Sequence, residues 1–204
     1  MRQHQPKWRI LIGMLIGIST VIALAIYKIL GVVTWNGVWV GLTKISIVGF
    51  ATWGLWEWFR RHLWRVKIFQ GWLVDIPNIS GQWEGELKSS YVDEETGDPT
   101  PDMPVTCNIR QRFNTVHIKF QVNAGSSKSY SVVASFVTDE EAGRKKLVYS
   151  FENESDPLDD GLDNHFGTAV LEIEGSPPNR MAGFYLNNRR NQSKGKLTLR
   201  KTQS

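Results

Sequence analysis

Residues 79–87 read ISGQWEGEL, and how this stretch is taken decides the fold of everything after it. A Gly-x-Trp start followed by alternating polar and apolar positions is the pattern of the first strand of a small β-barrel. Strands of this type usually open soluble or secreted ligand carriers. The period of two continues from Ser80 to the C-terminus. Val116, Ile118, Phe120 and Val122 share one face, with His117, Lys119 and Gln121 on the other. Val105, Cys107 and Ile109 behave alike, as do Leu147, Tyr149 and Phe151. Strands are expected at about 80–92, 104–112, 115–123, 129–138, 145–152, 165–174, 180–187 and 195–201. The turn-forming stretches FNT (113–115), AGSS (124–127), EEAG (140–143), GSPPN (175–179) and NNRRNQSKG (187–195) separate them.

Short gaps between successive strands favour an antiparallel meander. Eight strands are about the number at which a closed barrel has an interior filled by side chains or able to hold one small ligand. Closure also removes exposed sheet edges. A β-sandwich is the competing arrangement. Two longer acidic connections interrupt the plan, DEETGDPTPDMP (93–104) and NESDPLDDGLDN (153–164). The second, with Asp156, Asp159, Asp160 and Asp163, suggests calcium, but it lacks the ligand alternation and closing Glu of a calcium-binding loop. A solvated loop fits it better.

The N-terminal part has a different composition. Residues 1–77 hold nine Lys/Arg against two Asp/Glu, whereas 78–204 hold fifteen against eighteen. The sequence pI near 9.2 therefore belongs to the first part and is no argument for a DNA or RNA partner. Ile10 to Tyr27 is free of charge, close to the about 20 residues that cross a bilayer. A second apolar run, Val38 to Phe59, is interrupted by Lys44 and Glu57. Two transmembrane spans are expected, at about 10–30 and 38–59. They make an N-terminal hairpin (1–69), a juxtamembrane linker (70–78) and a barrel domain (79–204). The expected fold is thus a membrane protein, a two-helix transmembrane hairpin followed by an all-β, eight-stranded antiparallel up-and-down barrel. Arg2, Lys7 and Arg9 before the first run, and Arg60, Arg61, Arg65 and Lys67 after the second, put both termini and the barrel on the cytoplasmic side. Reading the first run as a cleaved signal peptide, with Ala23-Leu24-Ala25 as the cleavage site, leaves the barrel on that side too.

Gly13-x-x-x-Gly17 and Gly37-x-x-x-Gly41 are candidates for close helix–helix approach in membrane assembly. Lys44 either snorkels to the interface or faces an assembled interior. Glu57 with Arg60 and Arg61 has the spacing of a helix-end ion pair.

No nucleophile pattern, zinc motif or phosphate-cradling glycine loop is present, and the four histidines lack metal-ligand spacing. This composition points to a binding protein without cofactor or metal, and not to an enzyme. The single Cys107 excludes an internal disulfide and fits a reducing compartment. An anionic ligand would need a local basic site in an otherwise acidic barrel. Candidate ligand-binding residues are Arg110, Arg112, Arg189 and Arg190, with Tyr130, Tyr149 and Tyr185 for stacking or interior hydrogen bonds. Trp83 is expected to pack at the barrel floor rather than touch a ligand.

Several stretches carry a family likeness: IPNISGQWEGEL (76–87), CNIRQ (107–111), HFGTAVLEI (165–173), GFYLNNRR (183–190) and GKLTLRK (195–201). The chain resembles the CD-NTase-associated CBASS effectors that join two transmembrane helices to a β-strand-rich domain. The resemblance implies an antiviral, anti-phage effector of the bacterial inner membrane. A cognate nucleotidyltransferase would supply a cyclic dinucleotide, and the barrel would bind it. The protein would then form a homo-oligomer and disrupt the membrane through its lipids, and the infected cell would die. The rival readings are a membrane-tethered lipocalin- or avidin-like carrier of an apolar small molecule, and a barrel that docks a protein partner.

Overall fold

The computed structural model describes residues 2–3, 8–30, 38–71, 73–92, 97–122, 128–139, 141–154, 165–188 and 193–202. A short strand β1 (Arg2–Gln3) precedes helices α1 (Trp8–Leu30) and α2 (Val38–Arg61) and two single-turn helices (Leu63–Arg65, Lys67–Phe69). Eight strands follow: β2 (Gly81–Ser89), β3 (Met103–Gln111), β4 (Val116–Val122), β5 (Lys128–Asp139), β6 (Arg144–Glu154), β7 (His165–Glu174), β8 (Arg180–Asn187) and β9 (Lys194–Lys201). The chain divides into a helical unit, Gln5–Asp75, and a β unit, Ile76–Ser204 with Met1–His4.

In the β unit every consecutive pair from β2 to β9 is antiparallel, and β9 pairs back onto β2, which closes an eight-stranded up-and-down barrel. The alternation seen in the sequence is what sorts its side chains. Val105, Cys107, Ile109 and Gln111 of β3 point inward and are buried, while Asn108 and Arg110 between them are exposed. Leu147 and Tyr149 of β6, Ala169 and Leu171 of β7, Met181 and Tyr185 of β8, and Leu197 and Leu199 of β9 complete the core. Closure depends on glycine at two positions where β2 meets β9, and a Cβ on Gly195 would lie 2.1 Å from the Lys88 carbonyl oxygen. A Cβ on Gly85 would lie 1.8 Å from the Thr198 carbonyl oxygen, so β2 approaches β9 there only because position 85 has no side chain.

The floor of the barrel is built by the opening stretch itself. Trp83 is completely buried, and its indole Nε1 donates to the Ile79 carbonyl at 2.9 Å. Gln111, buried on β3, ties the incoming chain down from both ends of its amide: it accepts from the Ile79 N–H at 2.8 Å and donates to the Pro77 carbonyl at 3.0 Å. The wall is weakest between β4 and β5, which pair only over Lys119–Gln121 against Lys128–Tyr130. Farther along, β5 carries a bulge between Ser131 and Val133 and takes β1 as its neighbour at Val137 and Thr138. Val132 and Val133, in the stretch with no outer neighbour, are accordingly exposed.

In the helical unit α1 buries Leu11, Leu15, Ser19 and Ala23, a stripe at intervals of four, and packs on α2. Glu57 pairs with Arg60 and Arg61 at the end of α2. The expectation of a two-helix transmembrane hairpin is corrected here. Among the described residues no helix is long and apolar enough to cross a membrane. In α2 the apolar sequence is broken by Lys44 and Glu57. The bacterial inner-membrane localisation rested on those spans and falls with them. Gly13 and Gly17 lie off the buried stripe, with nothing within 4 Å of where their side chains would be. Gly37 lies outside the described residues, and Gly41 and Lys44 belong to a helical stretch whose side chains are not described.

Truncating Trp83 to Ala is expected to cost the barrel about 3–5 kcal/mol, the range for a fully buried large aromatic. Urea denaturation followed by far-UV circular dichroism measures it. A loss under about 1 kcal/mol would remove Trp83 as the floor of the fold.

Candidate functional site

The two ends of the barrel differ in kind. At the floor end tight turns join the strands, and Ile79, Trp83, Met181 and Leu199 fill the interior. At the other end the strands are joined by the longer connections after β2, β4, β6 and β8, and the described residues leave the interior unfilled. A cavity of about 290 Å³ opens there.

Its walls form two layers. The deeper one is aromatic and apolar: Phe120, Tyr149, Phe151 and Tyr185, with Ile118 and Leu197. The Tyr149 and Phe151 rings are tilted at 49° with centroids 6.0 Å apart. Tyr185 lies over Gly195, its cross-strand partner, where an added Cβ would come within 2.6 Å of the ring. The layer nearer the mouth carries most of the polar groups, beside Met103 and Val122. Ser129, Asn153 and His165 are successive cross-strand partners on β5, β6 and β7, and Asn187 and Ser193 face them from β8 and the start of β9. The Ser129 hydroxyl donates to Asn153 Oδ1 at 2.8 Å, and the Ser193 hydroxyl to Asn187 Oδ1 at 3.0 Å. Asn153, His165 and Ser193 are all buried.

No Asp, Glu, Lys or Arg lines this cavity among the described residues. The interior medium is correspondingly apolar. Burial pushes the Tyr149 hydroxyl well above the usual phenol range, with the neighbouring Cys107 adding to it. Burial alone pushes the Cys107 thiol up to about 12. Neither group ionises near neutral pH, and the described lining offers a ligand rings and hydrogen-bonding groups.

A concave pocket lined by rings and a few placed polar groups has the usual form of a small-molecule site. The family model for the Cap15 cyclic dinucleotide receptor domain matches residues 74–201, which takes in the whole run from β2 to β9. The chain belongs to the Cap15 family. It carries the cyclic dinucleotide receptor domain of a CBASS effector. No curated protein matches the chain.

Against that ligand class, the residues singled out from the sequence fall into separate places. Tyr149 and Tyr185 line the cavity. Arg110 and Tyr130 instead border a cleft of about 630 Å³ on the outer face of β3, β4 and β5, together with His117 and Lys119. Lys119 Nζ stands 5.9 Å from the centre of the Tyr130 ring there. Arg112 belongs to neither site; it is exposed in the turn after β3, where its backbone N–H donates to the Thr115 carbonyl at 2.8 Å. Arg189 and Arg190 lie outside the described residues.

Sequence reasoning missed Asn153, His165, Asn187, Ser129 and Ser193. A signal for three of them was present in the alternation, and His165 is in phase with inward-facing Ala169 and Leu171. Asn153 is in phase with inward-facing Tyr149 and Phe151, and Asn187 with inward-facing Tyr185. A polar residue on the inward register at the end of a strand marks the place where a core gives way to a binding site.

The burial of Cys107, the cross-strand partner of Trp83, yields a check on the barrel wall. The native thiol should be alkylated by iodoacetamide at pH 8 only as fast as the barrel unfolds, and readily in urea. The raised folded-state value makes Cys107 lower the barrel's stability as pH climbs from 9 toward 12, because the unfolded thiol ionises first, near 9. Native labelling at the rate of an exposed thiol would contradict a sealed wall at β3.

Proposed function

We propose that the cavity at the open end of the barrel is the receptor site for a cyclic dinucleotide, and that ligand binding drives the antiviral effector to self-associate, leading to death of the infected cell. The observation that carries this reading is the coincidence of the family's receptor domain, 74–201, with a barrel whose described interior opens at one end onto rings and neutral hydrogen-bonding groups. Bases stack on aromatic side chains and hydrogen-bond through their edges, and both kinds of partner are in the lining. The ligand acts as an activator made by a cognate nucleotidyltransferase, and the protein performs no chemistry of its own on it.

A receptor becomes a switch only if the ligand prefers one state over another. Self-association supplies such a state, because a ligand held at the mouth of the barrel can be touched by a second copy while a ligand sealed in the core cannot. The reading ends at assembly. Membrane disruption, which the resemblance implied, needs spanning helices, and no described helix qualifies.

The apolar-carrier reading draws on one observation, the absence of charge from the described lining. A single titration separates the two. Calorimetry on the full chain with a panel of cyclic dinucleotides, and with a hydrophobic dye, is expected to give tight binding to at least one dinucleotide. That binding should weaken about ten-fold or more in Tyr185→Ala and in Phe151→Ala, since each ring stacked on a base contributes about 1–3 kcal/mol. Chemical crosslinking should show larger species when the ligand is added. Binding confined to the dye would favour the carrier, and an unchanged size distribution on saturation would end the assembly step.

A further inference from the structure

We infer that the cavity takes one base of the cyclic dinucleotide, adenine in preference to guanine, and that both phosphates stay outside it. The inference rests on the receptor reading above and adds the orientation and base selectivity of the ligand.

Size gives the first argument. Pockets that enclose drug-sized ligands run from about 300 to 1,000 Å³. The cavity, at about 290 Å³, lies just under the bottom of that range. A cyclic dinucleotide has two nucleosides and two phosphates and belongs at its top. The cavity has room for one base with part of its ribose.

Charge decides which part enters. An anion moved from water into a site without a cationic partner meets a desolvation cost far above that of a neutral polar group. The lining presents rings, hydroxyls, two amides and an imidazole, with no Lys or Arg among the described residues. A base loses little hydration on its faces and can satisfy its edge with hydrogen bonds. The phosphates remain in water at the mouth. The layering of the walls fits such a guest, with Phe120, Tyr149, Phe151 and Tyr185 below and the polar belt of Asn153, His165 and Asn187 nearer the rim.

The belt also selects. An amide matches the N6–H₂ donor and N7 acceptor of adenine with its own acceptor and donor, whereas the O6 and N7 acceptor pair of guanine is met best by the paired donors of Arg or Lys. Here the two amides are Asn153 and Asn187, held through Oδ1 by the Ser129 and Ser193 hydroxyls at 2.8 and 3.0 Å. Both hydroxyls can rotate, so these bonds orient the amide planes while permitting exchange with a base edge.

The full chain is titrated with cyclic di-AMP and cyclic di-GMP, and separately with a cyclic dinucleotide carrying 2-aminopurine in place of one adenine. We expect cyclic di-AMP to bind about ten-fold or more tightly than cyclic di-GMP, the reporter to be shielded from iodide quenching, and Asn153→Leu to abolish the preference. Asn187→Leu serves if Asn153→Leu does not fold, and the quenching measurement needs no variant. Binding with equal or reversed preference, or a reporter fully open to iodide, overturns the insertion and leaves the receptor reading standing. Failure of every cyclic dinucleotide to bind overturns the receptor reading itself.

Discussion

The structure depends on one meeting of backbones, that of β2 with β9. These are the first and last strands of the barrel, and their pairing runs from Trp83 against Lys201 to Ser89 against Gly195. All other neighbours in the barrel are consecutive in sequence and can form as local hairpins. The closing pair is the long-range one, so loop-closure entropy opposes it until the whole meander is in place. Gly85 and Gly195 permit it, since a side chain at either would strike a backbone carbonyl of the facing strand, Thr198 or Lys88. Once the pair forms, Trp83 is locked between Ile79 and the core, and the barrel acquires a floor.

From the floor follows the site. An eight-stranded barrel is just wide enough for its interior to be filled by side chains or to hold a small ligand, and this one does each at opposite ends. Large apolar groups crowd the end where the chain enters, helped by the two hydrogen bonds of Gln111. At the far end the inward positions change to Ser, Asn and His, which cannot pack into a dry core without partners. They bond to one another across strands instead, and a cavity persists between them. The cavity is therefore what remains when a barrel is packed from one side only.

Much of this was legible in the sequence, for a physical reason. A strand buried on one face must alternate, and eight such alternations with turn residues between them allowed little besides a closed meander or a sandwich. The expected strand at 165–174 coincides with β7, and that at 180–187 with β8. The site was half legible. Tyr149 and Tyr185 were picked as aromatic groups able to face inward, and they do line the cavity. Arg110 and Tyr130 were picked by charge and ring alone, yet alternation already put Arg110 outside, next to buried Ile109. In the N-terminal unit the apolar runs marked the helices well, but helix formation and membrane crossing are separate claims. The first needs only local propensity and a partner face, and α1 has one in its stripe of Leu11, Leu15, Ser19 and Ala23. The second needs an unbroken apolar length that no described helix reaches.

The neutrality of the cavity bears on how such a receptor can discriminate at all. Every cyclic dinucleotide carries the same two phosphates, so a pocket built around them would bind all members of the class with similar strength. Discrimination has to come from the bases, and it is sharpest where a buried donor or acceptor goes unpaired with the wrong one. A low-dielectric interior raises that penalty, and the upward-shifted Tyr149 hydroxyl and Cys107 thiol show how apolar this interior is. The strand ends around the mouth, by contrast, are joined by the acidic segments 93–104 and 153–164. The connection after β8 at the same end is the basic stretch 187–195, with Arg189 and Arg190, so charge around the mouth is mixed and the proposed choice among bases falls to the polar belt of Asn153, His165 and Asn187.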